Sequence, residues 1–299
     1  MTQPSTGNHT AAAPAWVPAL FVLLWSTGFL GAKLGLPHAE PFTFLGIRMA
    51  IASGLLLVFA LVTGAAWPKS WRATGHIAVA GILVHAVYLG GVFTAIHRGL
   101  PAGISSLIVG LQPLLTAGLA MVWLGERLKP RQWLGLVLGF GGVALVMSGR
   151  LGSAAPDWAG LPPVLAGLVG ITLGTLYQKR YCSGMDLRTG GVVQYAATAA
   201  LMLLGALLLE SRQVDWAPEF IFALAWLVVV LSVGAVGLLY TLIRRGEASR
   251  VASLFYLTPP TTAALAWLLF DERLGPLALL GMAVTALGVA LVIWPSRLR

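Results

Sequence analysis

The feature that most limits the fold of this chain is the absence of charge from long stretches of it. Ten apolar runs follow one another, at 15–35, 41–63, 75–96, 102–124, 131–148, 159–178, 189–209, 219–241, 249–270 and 275–294. Polar or helix-breaking residues separate them, such as Lys69-Ser70-Trp71-Arg72 and Glu126-Arg127-Leu128-Lys129. A run of about 20 apolar residues is long enough to cross a bilayer as a helix. Only 10% of the 299 residues are charged, against about 25% in soluble domains. A water-soluble globule is excluded, and the short loops leave no room for a separate soluble domain. The expected fold is an all-α integral membrane protein with ten transmembrane helices.

The net charge of +9 would suggest nucleic acid in a soluble protein. In a membrane protein, Lys and Arg collect in cytoplasmic loops. With the N-terminus cytoplasmic, thirteen Lys and Arg residues fall in inside segments and five in outside ones, and Arg48 lies within the second span. The bias puts both termini inside and supports an even number of spans. Residues 1–14 read as a cytoplasmic tail without the basic region of a signal peptide, and 295–299 as a second tail. Trp67, Trp71, Trp158, Trp216 and Trp294 sit at expected span ends as interfacial anchors. The one cysteine, Cys182, allows no internal disulfide.

The sequence repeats at an offset of 146 residues. Gly-Val-Ala-Leu-Val stands at 142–146 and at 288–292, and Glu126-Arg127-Leu128-x-Pro130 matches Glu272-Arg273-Leu274-x-Pro276. Across 111–146 the two copies share 17 of 36 positions. The repeats, 15–148 and 159–294, hold five spans each. An odd number turns the second copy upside down, so Lys33 falls outside and its mate Lys179 inside. Inverted repeats are a signature of secondary transporters, because the two halves can exchange conformations around a central site.

From Trp25-Ser26-Thr27-Gly28-Phe29 to Trp294 the chain resembles the drug/metabolite transporter superfamily, in its ten-span EamA type. The most specific segments are Leu111-Gln112-Pro113 through Gly125-Glu126-Arg127-Leu128, and Leu257-Thr258-Pro259 through Asp271-Glu272-Arg273-Leu274. Arg48 matches a basic residue common at that place in the family, whereas the second repeat has Gln194 there. The resemblance implies a multi-pass carrier of the bacterial inner membrane that exports amino acids, related metabolites or drugs. It also implies a substrate cavity lined by spans one, three, four, six, eight and nine.

The residues themselves narrow the chemistry. All ten carboxylates (Glu40, Glu126, Asp157, Asp186, Glu210, Asp215, Glu219, Glu247, Asp271 and Glu272) lie in loops or at span ends, which argues against a carboxylate proton relay. His85 is the one histidine at the middle of a span, with Tyr88 on the same helical face. It serves either as a ligand group or as neutral glue between helices. Arg48 either attracts an anionic group of a substrate or ties down a helix end. Gln112 and Pro113 in span four are repeat mates of Thr258 and Pro259, with Pro260 adjacent. Proline frees backbone carbonyls, and paired helix breaks are a sequence pointer to a transport site. Trp25, Thr27, Thr172, Tyr177 and Tyr256 add rings and hydroxyls that suit an amphipathic solute. Singly, each of these five also reads as a packing residue.

The Gly31/Gly35, Gly135/Gly139 and Gly170/Gly174 pairs read as close helix contacts. No phosphate-loop, HExxH or GxSxG motif is present, so neither ATP hydrolysis nor catalysis is expected. No catalytic residue, metal site or cofactor is assigned. The expected function is secondary transport of an amino acid or related metabolite, with nucleotide sugars, sugar phosphates or drugs as the alternative cargo and a channel or membrane enzyme less favoured. The expected partners are the lipid bilayer and a small-molecule substrate, with no nucleic acid. A homo-oligomer is compatible with the sequence.

Overall fold

The computed structural model describes residues 16–100, 105, 108–148, 158–245, 248–270 and 275–293. Both expected tails, Asp157, Glu247, Asp271, Glu272, Arg273 and Trp294 lie outside the described residues. Helices occur at each of the ten expected spans: α1 (Trp16–Gly35), α2 (Pro41–Val62), α3 (Trp71–His97), α4 (Gln112–Trp123, with residues 105, 108 and 109 before it also helical), α5 (Pro130–Ser148), α6 (Leu161–Tyr181), α7 (Leu187–Leu209), α8 (Pro218–Arg245), α9 (248–270) and α10 (Pro276–Ile293). Five of them, α2, α3, α6, α7 and α8, are by themselves long and apolar enough to cross a membrane. Among the described residues no strand forms; the single bridge joins Ala39 to Val214 in two loops.

Local chemistry sets the helix starts. Pro41, Pro130, Pro218 and Pro276 open their helices, where a missing N–H costs nothing. The Ser70 hydroxyl accepts from Ala73 N at 3.2 Å, and the Asp186 carboxylate from Arg188 N at 2.9 Å, as N-caps. The starts of α2 and α7, of α5 and α10, and of the helices at Gln112 and Thr258 each differ by the same 146 residues.

Packing follows the same rule. α5 lies along α10 and α2 along α7, each helix against its own repeat mate; α4 packs against α9; and α3 pairs with α6 as α8 pairs with α1. These pairings map onto themselves when the two repeats are exchanged, the relation expected of an inverted repeat. At the α5–α10 seam a Cβ on Gly288 would meet Gly139 N at 2.5 Å, and one on Gly135 would meet the Gly288 carbonyl at 2.5 Å. Only glycine lets these backbones approach so closely. The α2–α7 seam is tied at both ends. Glu210, just past α7, accepts from Phe42 N and Thr43 N at 2.7 Å each and from the Thr43 hydroxyl at 2.8 Å. At the other end Thr189, the mate of Thr43, donates to the Ala66 carbonyl at 2.7 Å.

The loops sort into two ends. His38 bonds Asp215 at 2.8 Å and Glu40 accepts from Ser211 at one end; Lys179 Nζ reaches the Ile243 carbonyl at 2.8 Å at the other. Trp67, Trp71 and Trp216 are exposed near these ends, as belt anchors are.

Candidate functional site

Three departures from regular helix shape the centre of the molecule. In α3 the segment Ile82–Val87 is a π-helix, and in α8 so is Leu227–Ala235. The offset places 82–87 onto 228–233, so both halves carry the same distortion. Wide turns of this kind re-aim side chains and recur at functional sites. The third is shared by α4 and α9. A tight turn, with Leu111 N bonded to the Ile108 carbonyl at 3.0 Å, precedes Gln112, and a 3₁₀ turn at Leu254–Leu257 precedes Thr258. Residues 108–111 and 254–257 are mates. The helix breaks expected from Pro113, Pro259 and Pro260 are therefore present, each proline lying in the first turn of the helix that restarts.

A narrow, largely apolar cavity lies between α1, α2, α3 and α8. It runs from Trp25 and His85, at mid-helix, toward Ala32 and Ile96, the end marked by His38. Four of the expected residues line it: Trp25, Arg48, His85 and Tyr88. Arg48 is 3% exposed, and its Nε donates to the Ser232 hydroxyl in the α8 π-segment at 3.1 Å. Among the described residues no carboxylate pairs with it. Ser232 ties the centre further: its carbonyl accepts a hydrogen bond from the Tyr195 hydroxyl of α7. The His85 ring packs on Tyr195, centroids 4.8 Å apart, and its Nε2 shares a hydrogen bond with the Tyr240 hydroxyl at 3.1 Å. His85 thus joins α3 to α8 and also lines the cavity. The sequence had marked neither Ser232, Tyr195 nor Tyr240; the shared place of Ser232 and Ala86 in the repeats gave no signal.

The other expected residues stand around this centre rather than in the cavity wall. Thr27 accepts from Trp226 Nε1 at 2.9 Å and donates to the Leu24 carbonyl, so it joins α1 to α8. Thr172 turns back to the Leu168 carbonyl of its own helix at 2.7 Å. Tyr177 bonds His76 at 2.6 Å in an aromatic group with Trp123 and Tyr181. The α9 turn seats Phe255 against Trp25, centroids 5.2 Å apart, and Tyr256 against Gly139. Gln112 Nε2 donates to Thr116 at 3.2 Å. Gln112 Oε1, Thr258 Oγ1 and the Tyr256 hydroxyl are buried without a hydrogen-bond partner among the described residues. Gln112 and Thr258 are repeat mates, so the two breaks present matching unsatisfied groups. The resemblance implied walls from spans one, three, four, six, eight and nine. The cavity described has α2 in its wall and does not reach α4, α6 or α9. Arg48 brings α2 into the wall by reaching Ser232 of α8.

Comparison with known proteins is consistent with this architecture. The sequence profile of the EamA-like transporter family matches residues 15–148 and again 158–294. The chain is 29% identical over 93% of its length to the uncharacterized transporter YvbV of Bacillus subtilis, covering 91% of that protein. It is 27% identical to the uncharacterized inner membrane transporter YedA of Escherichia coli, covering 92% of this chain and 89% of YedA. It is 28% identical to a probable amino-acid metabolite efflux pump of Escherichia coli, with 94% of each chain covered. A solved crystal structure at 22% identity shares the fold with a TM-score of 0.78, over 92% of this chain and 94% of the other. With described helices at each of the ten expected spans, matched halves and two family matches that together span nearly its whole length, this chain belongs to the EamA-like transporter family.

Proposed function

We propose that the protein exports an amino acid or a related carboxylate-bearing metabolite across the inner membrane by alternating access. The observation that carries the reading is the Arg48 guanidinium, buried in a cavity wall and paired with no described carboxylate. Burying a cation is costly unless an anion meets it. Arginine presents a planar fork that matches a carboxylate in two parallel hydrogen bonds. A substrate carboxylate would supply the missing partner. Trp25, Tyr88 and Leu89 would take the apolar part of the solute, and His85 would offer a polar contact at the deep end.

The breaks in α4 and α9 add the unsatisfied Gln112 and Thr258 groups near the centre. The names of two relatives, a probable amino-acid metabolite efflux pump and an uncharacterized inner membrane transporter, support the cargo and the location. One buried cation in the wall suits a carboxylate better than a phosphate, which usually draws several.

Counterflow in proteoliposomes tests this reading. Vesicles preloaded with an amino acid mixture should take up one labelled class of amino acid saturably. Arg48→Gln should raise the KM for that class by tenfold or more. Saturable exchange of nucleotide sugars or sugar phosphates in place of amino acids would overturn the cargo assignment. Non-saturable flux would overturn the carrier mechanism.

A further inference from the structure

The two halves share a backbone plan but differ in side chains at one pair of places. Beside the α1–α8 contact a cavity is lined by Arg48 with Gly28 and Ala32 of α1 and Leu231 and Val236 of α8. The mate contact of α6 with α3 is equally close: a Cβ on Gly174 would meet Val84 at 2.6 Å, and one on its mate Gly28 would meet Leu231 at 2.6 Å. There the place of Arg48 is taken by Gln194, and that of the cavity-lining Ala32 by Gln178. The two amides are bonded, Gln194 Nε2 to Gln178 Oε1 at 2.9 Å, and Gln178 Nε2 reaches Met185 Sδ at 3.7 Å. Gln194 is fully buried, and its Oε1 has no hydrogen-bond partner among the described residues. A buried amide oxygen left unpaired is unfavourable, and native proteins keep few of them. It is an acceptor carried at the position that corresponds to cavity-lining Arg48.

We propose that the Gln178–Gln194 pair is a second substrate-binding position, used when the halves exchange conformations and the α3–α6 side opens toward the Lys179 end. This rests on the reading of the protein as an alternating-access carrier of amino acids. Exchange would give α3, α6 and α7 the arrangement that α8, α1 and α2 have now around the cavity, and the amides would then line the new one. Gln194 Oε1 accepts a hydrogen bond from the substrate, and the α-ammonium group of a zwitterionic amino acid is the donor that fits a neutral acceptor best. The carrier therefore holds its solute differently in its two states. A cation meets the carboxylate on the His38 side, and amides meet the ammonium group on the Lys179 side.

The test is transport measured separately from the two faces, in vesicles of known orientation, with a labelled zwitterionic amino acid. Gln194→Leu should raise the KM for entry from the Lys179 face at least tenfold, while the KM from the His38 face stays within twofold. Gln194→Asn, which keeps the amide on a shorter arm, should fall between wild type and Gln194→Leu. Equal KM values from the two faces in Gln194→Leu would overturn the proposal while leaving the carrier function in place. A second readout is independent of cargo. Val230, the mate of cavity-lining Val84, is replaced by cysteine in a Cys182→Ala background and exposed to an impermeant maleimide. Val230→Cys should label from the Lys179 face; protection from that face in a transport-competent variant would show that the region does not open. If wild type exchanges no amino acid but Val230→Cys labels, the cargo reading fails and the second opening stands.

Discussion

The α5–α10 seam and the Arg48 region show opposite uses of the same duplication. At the seam, Gly135, Gly139 and Gly142 of one repeat face Gly281, Thr285 and Gly288 of the other, and the two sides interlock backbone to backbone. Apart from Thr285 at the place of Gly139, symmetry is retained there because close approach is a backbone property that small side chains permit. Around Arg48 the symmetry is broken: Arg48 is matched by Gln194, His85 by Leu231 and Tyr88 by Gly234. A scaffold gains from likeness between halves. A binding position needs particular groups on one side, so the chemistry collects where the copies diverge.

The largest expected effect comes from disturbing the seam. Gly288→Leu would drive a side chain into Gly139 N, backbone that cannot rotate away. It should abolish recovery of monodisperse protein in detergent size-exclusion chromatography. Gly237→Leu, where a Cβ would meet nothing within 4 Å, should leave recovery unchanged. Recovery of both variants alike would show that the close approach does not hold the halves together.

Arg48→Gln makes the two repeats alike at their most divergent pair. It should weaken carboxylate transport by tenfold or more, the size of a lost charged hydrogen bond of roughly 1.5–3 kcal/mol. Without substrate the same variant should melt no lower than wild type in detergent, because it removes an unpaired buried charge. A large drop in melting temperature with transport retained would make Arg48 a structural tie to Ser232.

Glu210→Ala acts on the α2–α7 seam. It removes the carboxylate that accepts from Phe42 N, Thr43 N and the Thr43 hydroxyl at the start of α2. Capping and the helix dipole together make the expected loss about 1–2 kcal/mol. The melting temperature should fall while the KM for substrate is unchanged. Tyr240→Phe should cost less, about 0.6 kcal/mol for one hydrogen bond between membrane helices, read as a smaller fall in melting temperature than in Glu210→Ala.

The smallest effect is a pH dependence at the loops. Hydrogen bonds from Ser211 hold the Glu40 carboxyl below its ordinary 4.5, and those from Arg188 hold Asp186 below its ordinary 3.8. Both groups bind protons more weakly folded than unfolded. Their stabilisation is therefore present at neutral pH and is lost as pH falls through the lowered folded values. Thermal melts between pH 7 and pH 3 should show a slight decline below about pH 4.5, reduced in Glu40→Gln.

Much of the architecture was legible from particular residues. The ten apolar runs placed the helices, and the offset between Pro130 and Pro276 gave the mate relation that the packing follows. Pro113, Pro259 and Pro260 marked the helix breaks, since a residue without an N–H cannot sit silently inside a span. Of the expected site residues, Trp25, Arg48, His85 and Tyr88 share a cavity wall. They were visible because a charge, an imidazole or a polar ring in the middle of an apolar run stands out. Thr27, Thr172 and Tyr177 carried the same kind of signal but satisfy their hydrogen bonds within or between neighbouring helices.

The sequence by itself determined that this chain is a membrane-embedded helical protein in two inverted halves, because burial in lipid and duplication are both written in one dimension. Only the tertiary structure decided that Ser232, Tyr195 and Tyr240 join Arg48 and His85, and that Gln194 is buried with an oxygen unpaired among the described residues. Those partners lie 184, 37 and 155 residues apart in the three bonds that link them. Side-chain hydrogen bonds depend on angstrom distances between helices, and neither composition nor periodicity carries that distance.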